Sequence, residues 1–234
     1  MRLGGAAFAG AGHYANIAPF QPGMEADMLA RWTRRVAIAA PGFFLIVTNA
    51  SAHHVMGGKT PASFAEGVLS GLGHPIIGPD HLAFLIALGV AVGVFRLSLI
   101  NPLLFLVAMA GGVAAHVAGT ALPGAELIVA ASVVLAGVLL ALEREIASGW
   151  WTGLFVIAGF FHGYAYGESI FGAEATPLAA YLVGLVAVQT ALTIGLALAS
   201  RMLWQSSPLA PRLAGAAVCG VGFAALMAQV VPAP

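Results

Sequence analysis

Six apolar segments lie at about 80–98, 102–122, 125–142, 150–167, 178–200 and 211–231, each close to the ~20 residues that a helix needs to cross the hydrocarbon core of a bilayer. A chain with that pattern folds in lipid, where every backbone amide and carbonyl must be satisfied within the protein, and helices do this segment by segment. The connections are short. They are marked by Asn101 with Pro102, Pro123 with Gly124, the trio Glu143, Arg144 and Glu145, and Pro208 with Pro211, so consecutive helices are expected to run antiparallel. The expected fold class is an all-α integral membrane protein with a six-transmembrane-helix bundle. A shorter stretch at 61–77 carries Glu66 and closes on Gly73, His74 and Pro75, and it reads as a short non-spanning half-helix ahead of the bundle.

Upstream, Arg31, Arg34 and Arg35 precede an uncharged apolar run at 36–47, followed by Ala50, Ser51 and Ala52 in A-x-A order. That is the layout of a signal peptide. The run is too short to span, and Pro41 with Gly42 weakens it further as a helix. Residues 28–52 are therefore expected to form an N-terminal signal peptide cleaved after Ala52, with residues 1–27 uninformative and a start at Met28 in keeping with that length. The membrane domain is then 53–234, beginning with His53 and His54. A free amine beside two imidazoles is a candidate chelate for a divalent metal; a flexible polar leader accounts for the pair equally well.

Composition narrows the partners. Charged residues are 8% of the chain against 60% hydrophobic, and nine Lys and Arg balance nine Asp and Glu, so no basic surface is available for nucleic acid. Cys219 is the single cysteine, which excludes an internal disulfide and a CxxC site. Gly57, Gly58, Lys59 and Thr60 resemble the end of a phosphate-binding loop, but the position five before Gly58 is His53 rather than Gly, so no nucleotide is expected. Orientation follows from the arginines. With the mature N-terminus outside, the inner loops hold Arg96, Arg144, Arg201 and Arg212, while the loops near Pro123 and Thr176 hold no Lys or Arg, as the positive-inside tendency requires. A seventh span at 61–77 would reverse that parity.

The remaining ionisable residues gather towards the outer ends of the segments. His74, Asp80 and His81 sit at the start of the first span, His116 near the end of the second, Glu126 at the start of the third, and His162, Tyr166 and Glu168 at the end of the fourth, with Glu174 in the loop beyond. A charge at membrane depth costs at least ~2.5 kcal/mol, so such residues face a bundle interior or a polar cavity. Each also has a plainer account. Asp80 fits an N-cap, and His116 alone fits a packing histidine. Glu126 suits the positive end of its helix, and Tyr164 and Tyr166 fit an interfacial aromatic belt. Their gathering in one leaflet favours a shared site. Gly159, Gly163 and Gly167 form a ridge that lets another helix approach beside His162, and Gly89 with Gly93, and Gly111 with Gly112, read the same way.

Imidazole nitrogen with carboxylate oxygen suits divalent nickel, cobalt and, less well here, zinc, and the lack of a cysteine cluster argues against copper(I) and iron–sulfur sites. Capture of a metal ion from outside is the natural reading. A divalent cation moving inward gains about 4.6 kcal/mol at 100 mV, so uptake can run on the membrane potential. Below the site Gln189, Thr190 and Thr193 of the fifth span are polar, and nothing ionised lies deep in the membrane.

Two runs carry a resemblance. Residues 74–82, HPIIGPDHL, are similar to the HPxxGxDHL signature of the HupE/UreJ family, membrane permeases for nickel or cobalt linked to hydrogenase and urease maturation. Residues 161–168, FHGYAYGE, resemble its second signature, FHGxAHGxE, and the turn Leu122, Pro123, Gly124, Ala125, Glu126 also fits. The similarity runs from about 53 to 231. It implies a secondary transporter in the bacterial cytoplasmic membrane that takes up Ni2+ or Co2+ for metalloenzyme maturation or cobalamin synthesis, with no permanently bound cofactor; the partners expected are the ion and the bilayer, with oligomeric partners left open, and the arginine parity puts both ends outside. It implies metal-binding roles for His74, Asp80, His81, His162 and Glu168. Tyr166 stands where a second histidine is usual, and Tyr164 where histidine also occurs, which removes imidazoles that His116 can replace. Two other functions fit parts of the pattern: an intramembrane zinc hydrolase using the same His, Asp and Glu residues, although HExxH is absent, and a haem subunit ligated by His116 and His162.

Overall fold

The structure is a computed structural model, and it describes residues 59–143, 146–204 and 209–231. The expected signal peptide, residues 1–27, His53, His54 and Arg144 lie outside the described residues. Within them the chain is helical throughout, with no strand: α1 Phe64–Ile77, α2 Pro79–Val94, α3 Ile100–Val117, α4 Ala125–Ala141, α5 Ser148–Glu168, α6 Ala175–Leu203 and α7 Leu209–Val230.

The half-helix begins at a cap. The Ser63 hydroxyl accepts the Glu66 amide at 3.2 Å and the Glu66 carboxylate accepts the Ala62 amide at 2.8 Å, so the one charge in an apolar stretch is occupied at a helix N-terminus. α1 ends at Gly78, whose N–H donates to the His74 carbonyl at 3.1 Å and whose own carbonyl accepts Leu82 N–H at 2.9 Å. Pro79 then opens α2 at a position where the missing N–H costs nothing. The two helices meet at 77°.

α2 is the axis of the bundle. Twelve of its sixteen residues are buried, and α1, α3, α4, α6 and α7 all pack against it. Around it the helices pair through small residues, and the register of those contacts gives their directions. On α3 and α5 the contacts run Phe105 to Gly159, Met109 to Gly163 and His116 to Gly167, so the two are parallel. On α6, Pro177 meets Gly67, Tyr181 meets Gly71, Thr193 meets Gly89 and Ala197 meets Gly93, so α1 and α2 together follow α6 from one end to the other. On α4 and α7, Gly137 meets Cys219 while Ala141 meets Gly215, so these two are antiparallel. The ridge at 159, 163 and 167 and the Gly89/Gly93 pair therefore do what their spacing predicts. Gly112 packs against Phe160, whereas Gly111 faces open space.

Three helices, α3, α6 and α7, are long and apolar enough to cross a membrane, and the bent α1–α2 pair makes a fourth if it is one span. The protein is a multi-pass membrane protein. α4 is apolar but has 17 residues, and α5 has 21 but carries His162, Tyr164, Tyr166 and Glu168 among its apolar positions. The expected second segment, 102–122, ends sooner, at Val117. Gly119 takes a φ of 81° there, and its N–H and that of Thr120 close back on the carbonyls of His116 and Ala115 at 2.8 and 3.1 Å, a Schellman stop that hydropathy alone does not register. The arginines collect at the end away from the histidines. Arg201 donates to the carbonyls of Leu97 and Val92, tying the end of α6 to that of α2, and Arg212 pairs with Glu143 at 3.0 Å.

Candidate functional site

At the opposite end the break between α1 and α2 turns His74 and His81 into the bundle. His74 leaves the last turn of α1 and His81 the first turn of α2, and both are buried. A Cβ at Gly78 would stand 2.7 Å from the His81 ring, so the residue at the break also makes room for that imidazole. His162, fully buried on α5, brings its Nδ1 to 2.9 Å from His81 Nδ1, and the His74 and His81 ring centres are 5.7 Å apart. His81 thus stands next to each of the other two histidines, with its ring centre 5.0 Å from that of His162. Asp80 is buried beside them, accepting the His81 amide at 2.9 Å; it lies in the first turn of α2, one residue inside the helix, and not at the cap.

Proton positions follow from the contacts. Ser132 on α4 donates to the Val129 carbonyl at 2.7 Å, so its oxygen is left to accept from His162 Nε2 at 3.1 Å. His162 is then protonated on Nε2 and accepts on Nδ1, which requires His81 to donate from Nδ1 and puts the His81 lone pair on Nε2. A similar line runs to His74. Tyr181 and Ser169 donate to the Tyr166 carbonyl at 2.9 and 3.1 Å, and His74 Nδ1 lies 3.0 Å from each hydroxyl. With both hydroxyl protons on that carbonyl, His74 donates from Nδ1 and its lone pair also falls on Nε2. His162 thus has both nitrogens engaged, by Ser132 and by His81. Orienting partners of this kind fix the tautomer and raise ligand basicity.

Tyr166 is not an interfacial residue. It is fully buried, with its ring centre 5.0 Å from His74 and 4.3 Å from His81, and its hydroxyl has no hydrogen-bond partner. Tyr164 instead holds the turn after α3, donating to Thr120 O at 2.7 Å and accepting from Leu122 N–H at 3.0 Å.

The other expected site residues form a separate layer. His116, Glu126 and Glu168 line an open cleft of about 450 Å³ together with Tyr164 and Gln229. His116 is half-buried on α3, its ring 4.6 Å from that of Tyr164, and its Nδ1 is buried without a partner. Glu126 is half-buried and Glu168 exposed. Asp80 lies near enough to both Glu126 and His162 for its charge to act on each, and so links cleft and cluster. Glu174 is exposed at the start of α6 and makes no side-chain cap. As the side chains stand, no three His, Cys, Asp or Glu among the described residues are grouped to hold one ion. Sequence reasoning missed Ser132, Ser169 and Tyr181, the hydroxyls that orient the imidazoles. Only Ser132 gives a signal, as the lone hydroxyl in its apolar segment.

Comparison with known proteins gives two matches. A family model described as HupE / UreJ protein matches residues 42–225. The curated Protein HupE of Rhizobium leguminosarum bv. viciae is 31% identical over 166 residues, covering 70% of this chain and 86% of that protein. No solved structure matches.

Proposed function

Because the chain belongs to the HupE/UreJ family, we propose that it is a secondary transporter that brings divalent nickel or cobalt across the bacterial cytoplasmic membrane to supply metalloenzyme maturation or cobalamin synthesis. The observation that carries this reading is the cluster of His74, His81 and His162, drawn from three helices into the buried end of a membrane bundle. In lipid, imidazoles are costly to bury and are retained where they line a site. The cleft of His116, Glu126 and Glu168 is the entrance, where carboxylates attract a hydrated cation, and the imidazoles beyond it offer the nitrogen that these metals prefer.

Six crossings fit this role, with α1 and α2 counted as one broken span. The parallel pairing of α3 with α5 and of α2 with α6, and the antiparallel pairing of α4 with α7, are what six alternating crossings produce. The histidine end then faces outside and the arginine end faces the cytoplasm. The membrane potential supplies the driving force, with no nucleotide. The test is uptake of radiolabelled nickel and cobalt by cells expressing the protein or its His74→Ala, His81→Ala and His162→Ala forms. Wild-type uptake above empty-vector cells and loss in the variants is the expected result; no uptake of either metal by the wild type refutes transport, and undiminished uptake by all three variants refutes the site.

A further inference from the structure

Gln189 is the most exceptional polar residue outside the cluster. It lies on α6, is wholly buried, and both its side-chain oxygen and its side-chain nitrogen lack a hydrogen-bond partner. Thr193, one turn on and equally buried, gives its hydroxyl proton to the main-chain carbonyl of Gln189 at 2.7 Å and not to the side chain. A buried primary amide with four unmet hydrogen-bonding positions is costly in any protein interior, and in a bilayer no lipid can relieve it.

Its position in the fold is specific. The buried stripe of α6 runs Tyr181, Gly184, Leu185, Gln189, Thr193, Ala197, which is the face that α1 and α2 cover. Gly71 of α1 meets Tyr181 and Leu185, and Gly89 of α2 meets Thr193. From residue 185 to 193 α6 rises about 12 Å, whereas residues 71 to 89, if straight, would extend about 27 Å. The broken pair therefore does not run straight along α6 between these contacts, and Gln189 lies on the stretch of α6 between them. Tyr181, which contacts His74, is two turns of the same stripe above, and Arg201 marks the far end.

Resting on the transport reading, we propose that the Gln189 side-chain amide is a second, oxygen-donating station for the cation, between the histidine cluster and the arginine end of the bundle. The ion leaves the imidazoles, takes the amide carbonyl together with its remaining waters, and moves on without meeting an ionised group that would trap it. A neutral oxygen suits a transit station, since binding there must be weak enough to release.

The test uses the full-length protein in proteoliposomes, with Ni2+ and Co2+ as probes, comparing wild type with Gln189→Leu and Gln189→Met. Methionine keeps the length and flexibility of glutamine without its amide, so one variant remains if the other folds poorly. The expected result is an initial transport rate about tenfold lower or less than that, the effect of losing one buried polar partner, with equilibrium binding of either ion by detergent-solubilised protein unchanged and Tm unchanged or raised. Transport at the wild-type rate in a folded variant overturns the proposal. So does loss of binding in step with transport at an unchanged Tm, which would put Gln189 in the outer site. A wild-type protein that carries neither ion fails the transport reading itself, a result seen before any variant is examined.

Discussion

Tyr181→Phe isolates what the hydroxyls around His74 contribute. The substitution keeps the ring in its fully buried place and removes one oxygen, which donates to the Tyr166 carbonyl at 2.9 Å, contacts His74 Nδ1 at 3.0 Å and lies 3.2 Å from the Ser169 hydroxyl. Ser169 still reaches His74 at 3.0 Å and Tyr166 O at 3.1 Å, so the carbonyl and the imidazole each keep one partner. With each net hydrogen bond contributing about 0.5–1.5 kcal/mol, the loss is about 1–3 kcal/mol. Part of it falls on stability and part on the orientation of the imidazole, where loss of an orienting partner weakens metal affinity about ten- to a hundredfold. The assay is the concentration dependence of nickel and cobalt uptake, read beside thermal unfolding of the solubilised protein. The half-saturating concentration is expected to rise by at least about tenfold, with Tm lowered. An unchanged half-saturating concentration, with protein present at wild-type level, would refute the orienting role of Tyr181.

Three further substitutions separate packing from site chemistry. Tyr166→Phe removes a buried hydroxyl that has no partner, so Tm should hold or rise, and a fall of several degrees would show that the hydroxyl has a partner in the membrane. Tyr166→His sets a third imidazole between rings 5.0 and 4.3 Å away; tighter binding of Ni2+ and Zn2+ by titration calorimetry is expected, and unchanged affinity would place the new ring off the ion. Gly163→Leu drives a side chain into the Met109 backbone, and should lower stability by about 1–3 kcal/mol or more, as overpacking does, in unfolding by denaturant.

The sequence makes the fold legible wherever a physical pattern repeats. Apolar length locates the helices to within a few residues, except at the end of α3, where one Gly119 conformation decides the boundary. Glycine spacing identifies the close faces, although it cannot separate Gly111 from Gly112, because choosing between adjacent residues needs the helix rotation. The gathering of histidines in one leaflet also emerges, because depth follows from position along a helix. Its division into a buried cluster and an open cleft does not. On the parallel pair α3 and α5, His116 lies level with Gly167 whereas His162 lies beside Gly163, deeper and level with Met109, so both this axial offset and the helix rotation put one ring in the cleft and the other in the core. Tyr166 is legible as a member of the layer but its burial is not, and Tyr181 is hidden altogether, since a tyrosine near a membrane surface has the same sequence signature whether it faces lipid or protein.

Two kinds of contact hold the bundle, and they fall in different places. Within the pairs α3–α5, α4–α7 and α1–α2 with α6, backbone approaches backbone through glycine, as at Gly112 with Phe160, Gly215 with Ala141 and Gly71 with Tyr181. Such contacts are made of many small dispersion terms and have no polar atom to exchange with water or an ion. Between the pairs the contacts at the site end include polar ones: His81 to His162 joins α2 to α5, and His162 to Ser132 joins α5 to α4. An ion with imidazole affinity competes for the second kind and not for the first. Damage at the glycines should therefore appear as lost fold, while damage at the imidazoles and their hydroxyls should appear as lost affinity in a bundle that still assembles.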